Sequence, residues 1–262
     1  DIGGPAASLP GPGASLPGDR GGRMPPEPAD RMSAPQFQTC SEGIGSMATE
    51  GRQQIADPKV QSANPFLMVG FNRRFAPQVS RIKNLLSSLP EPKSLVMTVN
   101  AGAVPAHHWS QNPQEGGGRV IGEGCHFIDL LRFLVGHPIV GTQAMKARQA
   151  GAAQCDDQMT FTLQFADGSI GTVHYFANGH KSFPKERLDV FCAGRVLQLD
   201  NFRRLTGYGW PGFRSMNLWR QDKGHLAEIA AFVDAIENGK TSPIPIEEIF
   251  EVTRVTFEVT AK

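Results

Sequence analysis

Cysteine is scarce in this chain and never closely spaced: Cys40, Cys125, Cys155 and Cys192 stand far apart, with no Cys-x-x-Cys. Such scatter argues against a disulfide framework, so reduced thiols in a cytoplasmic protein are expected. Excess charge of one sign is also lacking, with 26 basic against 25 acidic residues and a net charge of +1. That balance leaves no footprint for nucleic acid or an anionic membrane surface. No apolar run approaches the roughly 20 residues that span a bilayer, and the first residues show no charged-then-apolar signal pattern.

Aromatic residues are nearly missing from the first 62 positions, where Phe37 stands alone among nine of the chain's 20 prolines and ten of its 29 glycines. Pieces such as Pro-Gly-Pro-Gly and Pro-Pro-Glu-Pro sustain neither helix nor strand. With so little apolar surface, ordering this backbone has no compensating burial. Residues 1–62 are therefore predicted to be a disordered Pro/Gly-rich leader. A Pro-rich ligand segment or non-native sequence at a fragment's edge are the alternatives.

From Pro65 onward the pattern becomes that of a folded domain. Phe66–Phe71 is a short apolar run that reads as a buried strand. Ala76–Leu89 carries Val79, Ile82, Leu85, Leu86 and Leu89 at helical spacing, with Pro77 in its first turn. Ser94–Asn100 is strand-like, and Gly124–Gly136 is helical. Met159, Phe161, Leu163 and Phe165 then alternate with Thr160, Thr162 and Gln164, an Asp167-Gly168 turn follows, and Ile170–Phe176 returns as the partner strand. Further strands are predicted at 138–149, 187–193 and 195–200. His225–Asn238 is an amphipathic helix with Leu226, Ile229, Ala230, Val233 and Ile236 on one face, and a last helix is predicted from Ile246. Consecutive strands flanked by helices give an α+β fold with a mostly antiparallel open sheet and helices on one face.

The chemistry concentrates where Gly116-Gly117-Gly118 leads into Gly122-Glu123-Gly124-Cys125-His126 at the start of a helix. Glycines let backbone approach a ligand closely. An imidazole one turn after a carboxylate supplies a general acid/base pair. Glu123-x-x-His126 is also half of a di-metal helix motif, but no second Glu-x-x-His accompanies it and the adjacent His107 and His108 diverge, so no metal site is expected. Gly207-Tyr-Gly-Trp-Pro-Gly212 matches a dinucleotide fingerprint literally. It lacks the strand–turn–helix frame that gives the fingerprint its meaning, and reads as a loop.

The ordered set Val69-Gly-Phe-Asn-Arg-Arg-Phe75, Gly-Gly-Gly…Glu-Gly-Cys-His-Phe-Ile-Asp, Phe165-Ala-Asp-Gly-Ser, Gln221-Asp-Lys-Gly-His225 and Pro243-Ile-Pro245 resembles the glucose-fructose oxidoreductase/inositol dehydrogenase (Gfo/Idh/MocA) family over about residues 64–262. The resemblance implies the C-terminal substrate and oligomerisation domain of an oxidoreductase acting on a sugar or cyclitol. Residues 63–75 would be a remnant of the last strand of a Rossmann domain otherwise largely missing. It also implies NAD or NADP as cofactor, although the Gly-rich nucleotide turn is not found before residue 64 and binding by this chain alone is not expected.

On that resemblance His126 is the catalytic histidine. Glu123 stands beside Gly122, where many members carry Asp, and its longer side chain could replace the carboxylate; its plainer role is to meet the helix dipole. Asp129 either orients the imidazole or is a helix-surface carboxylate. Asn72 and Arg73 would border the nicotinamide. Asn100, His108, Trp109, Lys223 and His225 would contact substrate, with capping, packing or surface roles as their plainer readings. Lys185-Glu186 opens a strand and carries no assigned chemistry. The sequence thus reads as a substrate domain inactive without its cofactor domain, forming a homo-oligomer through the open sheet. A non-catalytic sugar-binding or assembly module, or one half of a split enzyme, are the alternatives.

Overall fold

Alternation of apolar and polar residues runs through the middle of the chain and decides which face of each strand is buried. The computed structural model describes residues 66–105, 108–112, 114–147 and 157–261. Eight strands are formed: β1 (Ser94–Asn100), β2 (Ile139–Lys146), β3 (Gln158–Phe165), β4 (Ile170–Phe176), β5 (Glu186–Cys192), β6 (Arg195–Asp200), β7 (Arg204–Tyr208) and β8 (Ser215–Asn217). They make one open sheet in the order β2-β3-β4-β1-β5-β6-β7-β8. Only β1 and β4 are parallel; every other neighbouring pair is antiparallel. This is the α+β architecture that the alternation predicts.

The register places Leu95, Met97 and Val99 of β1, Phe161 and Leu163 of β3, Val173 and Tyr175 of β4, and Leu188 and Val190 of β5 in the core. Helices α1 (Pro77–Leu86), α2 (Cys125–Val135) and α4 (Ile246–Ala261) contribute Ile82, Leu130, Leu131, Val252 and Val255 to it. Gly171 on β4 makes room for α2, since a Cβ there would lie 2.9 Å from Leu131 Cδ1. On the opposite face Thr162 pairs with Thr172 across β3 and β4 at 3.1 Å, and Thr160 with His174 at 3.0 Å. No helix among the described residues is long and apolar enough to cross a membrane.

Three sequence expectations differ from the structure, and residues 1–62 lie outside the described residues. Phe66–Phe71 is not a strand, because no strand among the described residues pairs with it and an apolar run needs a ladder partner to become one. The reading of 63–75 as a last Rossmann strand therefore finds no strand at 66–71; residues 72–75 form a 3-10 turn instead. Helix α3 (His225–Glu237) forms as predicted, but its apolar row faces outward: Leu226 is 84%, Ile229 59%, Val233 43% and Ile236 54% exposed. Strands β7 and β8 are short, and their apolar signal is diluted by the Gly-rich hairpin that joins them.

A buried ion network locks the helices together. Arg74 donates Nε to Asp129 Oδ2 at 3.0 Å, makes a second, very short bond from Nη2 to Asp129 Oδ1, and reaches Glu248 of α4 through Nη1 at 3.0 Å. Arg132 of α2 donates to Glu251 at 2.9 Å, and Glu251 also accepts the Ile139 N–H at the start of β2. Burial outweighs the bonds and charge of Arg74 and leaves the Asp129 carboxyl raised to about 6, so it is still a carboxylate at neutral pH. Asp129 is thus neither an exposed helix residue nor a partner of His126.

Removing one member of a buried pair strands the other charge, whereas removing both does not. Arg74→Met is expected to cost roughly 3–5 kcal/mol in urea unfolding, and Arg74→Met/Asp129→Leu to recover most of it.

Candidate functional site

The 3-10 turn Asn72–Phe75 carries two adjacent buried arginines that point to different partners. Arg74 enters the helix network, while Arg73 donates Nε and Nη2 to Glu186 at 2.8 and 3.0 Å. Lys223 donates Nζ to the same carboxylate at 2.6 Å. Glu186 opens β5 and its side chain is 0% exposed. Burial alone would raise its pKa, but the bonds and charge of Arg73 with those of Lys223 outweigh burial and hold it at about 2.

Backbone geometry fixes Lys223 in turn. Asn72 Nδ2 donates to the Lys223 carbonyl at 2.8 Å. Gly224 follows with φ +89°, and a Cβ there would lie 2.4 Å from the Asn72 carbonyl oxygen, so only glycine lets the two loops meet. His225 then begins α3.

His126 lies in the first turn of α2, with its ring edge-on to Phe71 at 5.9 Å. Nδ1 is enclosed without a partner, and Nε2 makes no hydrogen bond among the described residues. Burial, then the positive charge of Arg73, depresses its pKa to about 4; Glu186 opposes this, and His225 and Lys223 add to it. The structure therefore brings together His126, Asn72, Arg73, Lys223 and His225, with Glu186 at their centre.

Glu123 belongs to a second cluster. Residues Val120–Gly124 form a π-helical turn rather than an α-helical one, which changes the angular phase between Glu123 and His126. Tyr175 Oη donates to Glu123 Oε2 at 2.9 Å, with Arg119 at 3.8 Å and Lys185 at 4.0 Å. Arg119 also donates to the carbonyls of Gly102 and Ala101. Glu123 and His126 do not pair in this structure.

The remaining candidates organise loops at the same end of the sheet. Asn100, the last residue of β1, donates to the carbonyls of His180 and Phe183 at 2.9 and 3.2 Å. His108 Nδ1 meets Ser110 Oγ at 2.7 Å and accepts the Ser110 N–H. Trp109 is largely exposed. No hydrogen bond or ion pair among the described residues links His108 or Trp109 to His126. Gly116 is required by the loop itself, because a Cβ there would meet Trp109 O and Ser110 Cα at 2.8 Å. His107 lies outside the described residues.

Glu186 and Tyr175 carry no assignment in the sequence reading, yet they anchor both clusters. The signal was phase: Glu186 alternates with Leu188 and Val190, and Tyr175 with Val173, on the buried side of their strands. Cys125 offers no nucleophile, since burial pushes its thiol up to about 11. No group of three or more His, Cys, Asp or Glu among the described residues is placed to hold a metal ion.

The parallel strands β1 and β4 both end at these clusters. The family model of the GFO/IDH/MocA C-terminal domain matches residues 89–197, which hold Glu123, His126, Tyr175 and Glu186. This stretch is similar to a GFO/IDH/MocA C-terminal domain. Among curated proteins it is 30% identical to inositol 2-dehydrogenase 2 of Saccharopolyspora erythraea over 144 residues, covering 53% of this chain and 40% of the relative. It is 25% identical to inositol 2-dehydrogenase of Rhizobium meliloti, covering 66% of this chain and 55% of the relative. The chain thus spans about half the length of the curated relatives it matches. In fold it is similar to levoglucosan dehydrogenase in complex with NADH and levoglucosan (TM-score 0.63, 19% identity, 75% of this chain and 63% of that one). It is also similar to UDP-N-acetylglucosamine 3-dehydrogenase GnnA from Acidithiobacillus ferrooxidans (TM-score 0.58, 19% identity, 75% and 62%).

A depressed imidazole has a definite sign in the stability of the domain. His126 binds a proton more tightly when unfolded, so its contribution is complete above the unfolded value near 6.5 and is lost as pH falls toward about 4. His126→Leu is expected to flatten the stability slope in that window, measured by urea unfolding at a series of pH values. NMR titration should find His126 neutral down to about pH 4.

Proposed function

We propose that this domain is the substrate half of a nicotinamide-dependent oxidoreductase that acts on a sugar or cyclitol hydroxyl or carbonyl. The observation that carries the reading is His126: an uncharged imidazole at a helix start, held among fixed cations at the carboxyl ends of two parallel strands. Oxidation of a carbinol carbon requires loss of the hydroxyl proton, and a neutral imidazole nitrogen accepts it. Arg73 and Lys223 supply positive potential where the developing alkoxide would form. Glu123, steadied by Tyr175, is the acceptor for a neighbouring substrate hydroxyl. The inositol dehydrogenases among the relatives support the substrate class.

NAD or NADP is the cofactor this reading requires, and the described residues do not fit its phosphates. Gly207–Gly212 forms the β7–β8 hairpin rather than a strand-to-helix turn. Arg73 is committed to Glu186, and the Asn72 amide to Lys223. A second domain must hold the dinucleotide, and the exposed row Leu226, Ile229, Val233 and Ile236 is the surface we assign to it. On this reading the domain does not turn over substrate unaided, and the Thr-rich open face of the sheet pairs with a second copy.

A non-catalytic sugar-binding module is the second reading, favoured by the missing partner at His126 Nδ1 and by Gly122 at the carboxylate position. The two part in one experiment. The chain is joined to the NAD(P)-binding half of an inositol dehydrogenase and assayed for reduced-cofactor formation with myo-inositol and aldoses. Turnover that falls at least 100-fold in His126→Asn, with sugar affinity retained, supports the enzyme. Sugar binding without any turnover supports the module.

A further inference from the structure

Around Glu186 two cations share one carboxylate. One fully buried carboxylate receives three hydrogen bonds from two cations, Arg73 and Lys223, whose side chains are themselves 10% and 16% exposed. Of the neighbouring groups only Asp222 offsets the second cation. His126 is neutral and His225 carries no negative charge. The Asp222 carboxylate, next in sequence to Lys223, accepts the Gly224 N–H at 2.8 Å. These four side chains are thus neutral together, and a further cation beside them is uncompensated, which is costly in a half-enclosed place.

Lys223 also forms a wall of an open depression of about 500 Å³, shared with Leu218, Trp219, Arg220, Asp222 and His225. Arg220 makes no ion pair among the described residues, so Arg73, Lys223 and Arg220 together exceed Glu186 and Asp222 by one positive charge at this space. Of the three protons on the Lys223 ammonium, one is used on Glu186 and two remain to donate. Trp219 is 90% exposed and presents an aromatic face at the rim, suited to stacking on a sugar ring.

We propose that this depression binds an oxyanion carried by the substrate, the carboxylate of a sugar acid or the phosphate of a sugar phosphate, through Lys223 and Arg220. The inference rests on the sugar-site reading above and narrows it. A guanidinium and an ammonium on one rim match an oxyanion by charge and donor count, whereas a neutral hydroxyl leaves the excess charge in place. Glu186 then acts as a positioning residue: it holds the Lys223 ammonium at the wall while Arg73 braces it from beneath.

The test measures equilibrium binding of glucuronate, glucose 6-phosphate, glucose, myo-inositol and inorganic phosphate to the 262-residue chain by calorimetry. The expected result is at least a tenfold preference for an anionic sugar over glucose, which shrinks as salt is raised and collapses in Lys223→Gln and in Arg220→Gln. Arg220 lies at the exposed rim, so its variant keeps the test sound if loss of the Lys223–Glu186 bond unfolds the first. Which anionic sugar binds tighter separates carboxylate from phosphate. Glucose or myo-inositol binding as well as the anionic sugars overturns this inference and leaves the sugar site standing. Inorganic phosphate binding as tightly as glucose 6-phosphate overturns a sugar-borne anion. No binding by any sugar overturns the sugar site and this inference together.

Discussion

Two buried guanidinium groups, adjacent in sequence and aimed at different partners, tie the site to the fold. Arg74 fastens the 3-10 turn to α2 and α4 through Asp129 and Glu248, and Arg73 fastens it to β5 through Glu186. Each bond is charge-assisted and largely shielded from water, so neither arginine can be lost without stranding a buried carboxylate. The turn is four residues long and could not hold such a geometry alone. The helices hold it from one side and the sheet from the other, and the loop carrying Lys223 is fitted against it through Gly224.

That arrangement explains why the electrostatics of the site are set by the scaffold rather than by mobile surface groups. The cation that most depresses His126 is Arg73, which always carries its charge. A carboxylate at the position of Gly122 could offset it, and this chain has none there. Glu123 makes no bond to His126 in this structure, where the wide turn at Val120–Gly124 and the Tyr175 hydroxyl direct it to a second cluster.

Most of the fold was legible because its sheet obeys strict alternation. Phe161, Leu163 and Phe165 on β3, and Leu188 and Val190 on β5, face the core just as their period-two spacing implies. The four helices were legible from apolar spacing, but not the direction of the α3 face. Amphipathicity says that a face seeks cover without saying where the cover lies. Phe66–Phe71 was misread for a related reason, since composition supplies a strand's side chains and not its neighbour. For the site, the grouping of His126 with Arg73, Lys223 and His225 was legible only through family resemblance, because these residues converge from three distant segments. Glu186 was passed over because a charged residue at a strand's start is ordinarily exposed, although its phase with Leu188 marked it as buried.

The low pKa of His126 has two sources. Burial first, and then positive charge from Arg73 with smaller parts from His225 and Lys223, make the imidazole reluctant to take a proton. A base held near 4 is weak at neutral pH, since catalytic efficiency peaks when the pKa lies close to the working pH. An oxyanion seated on Lys223 would cancel part of that field and also displace water from the depression. Neutralisation raises the pKa of His126 and drying lowers it, and burial is already the largest cause of its depression. Only an anion that neutralises the cations without further drying the ring would move the imidazole toward the range where it works as a base.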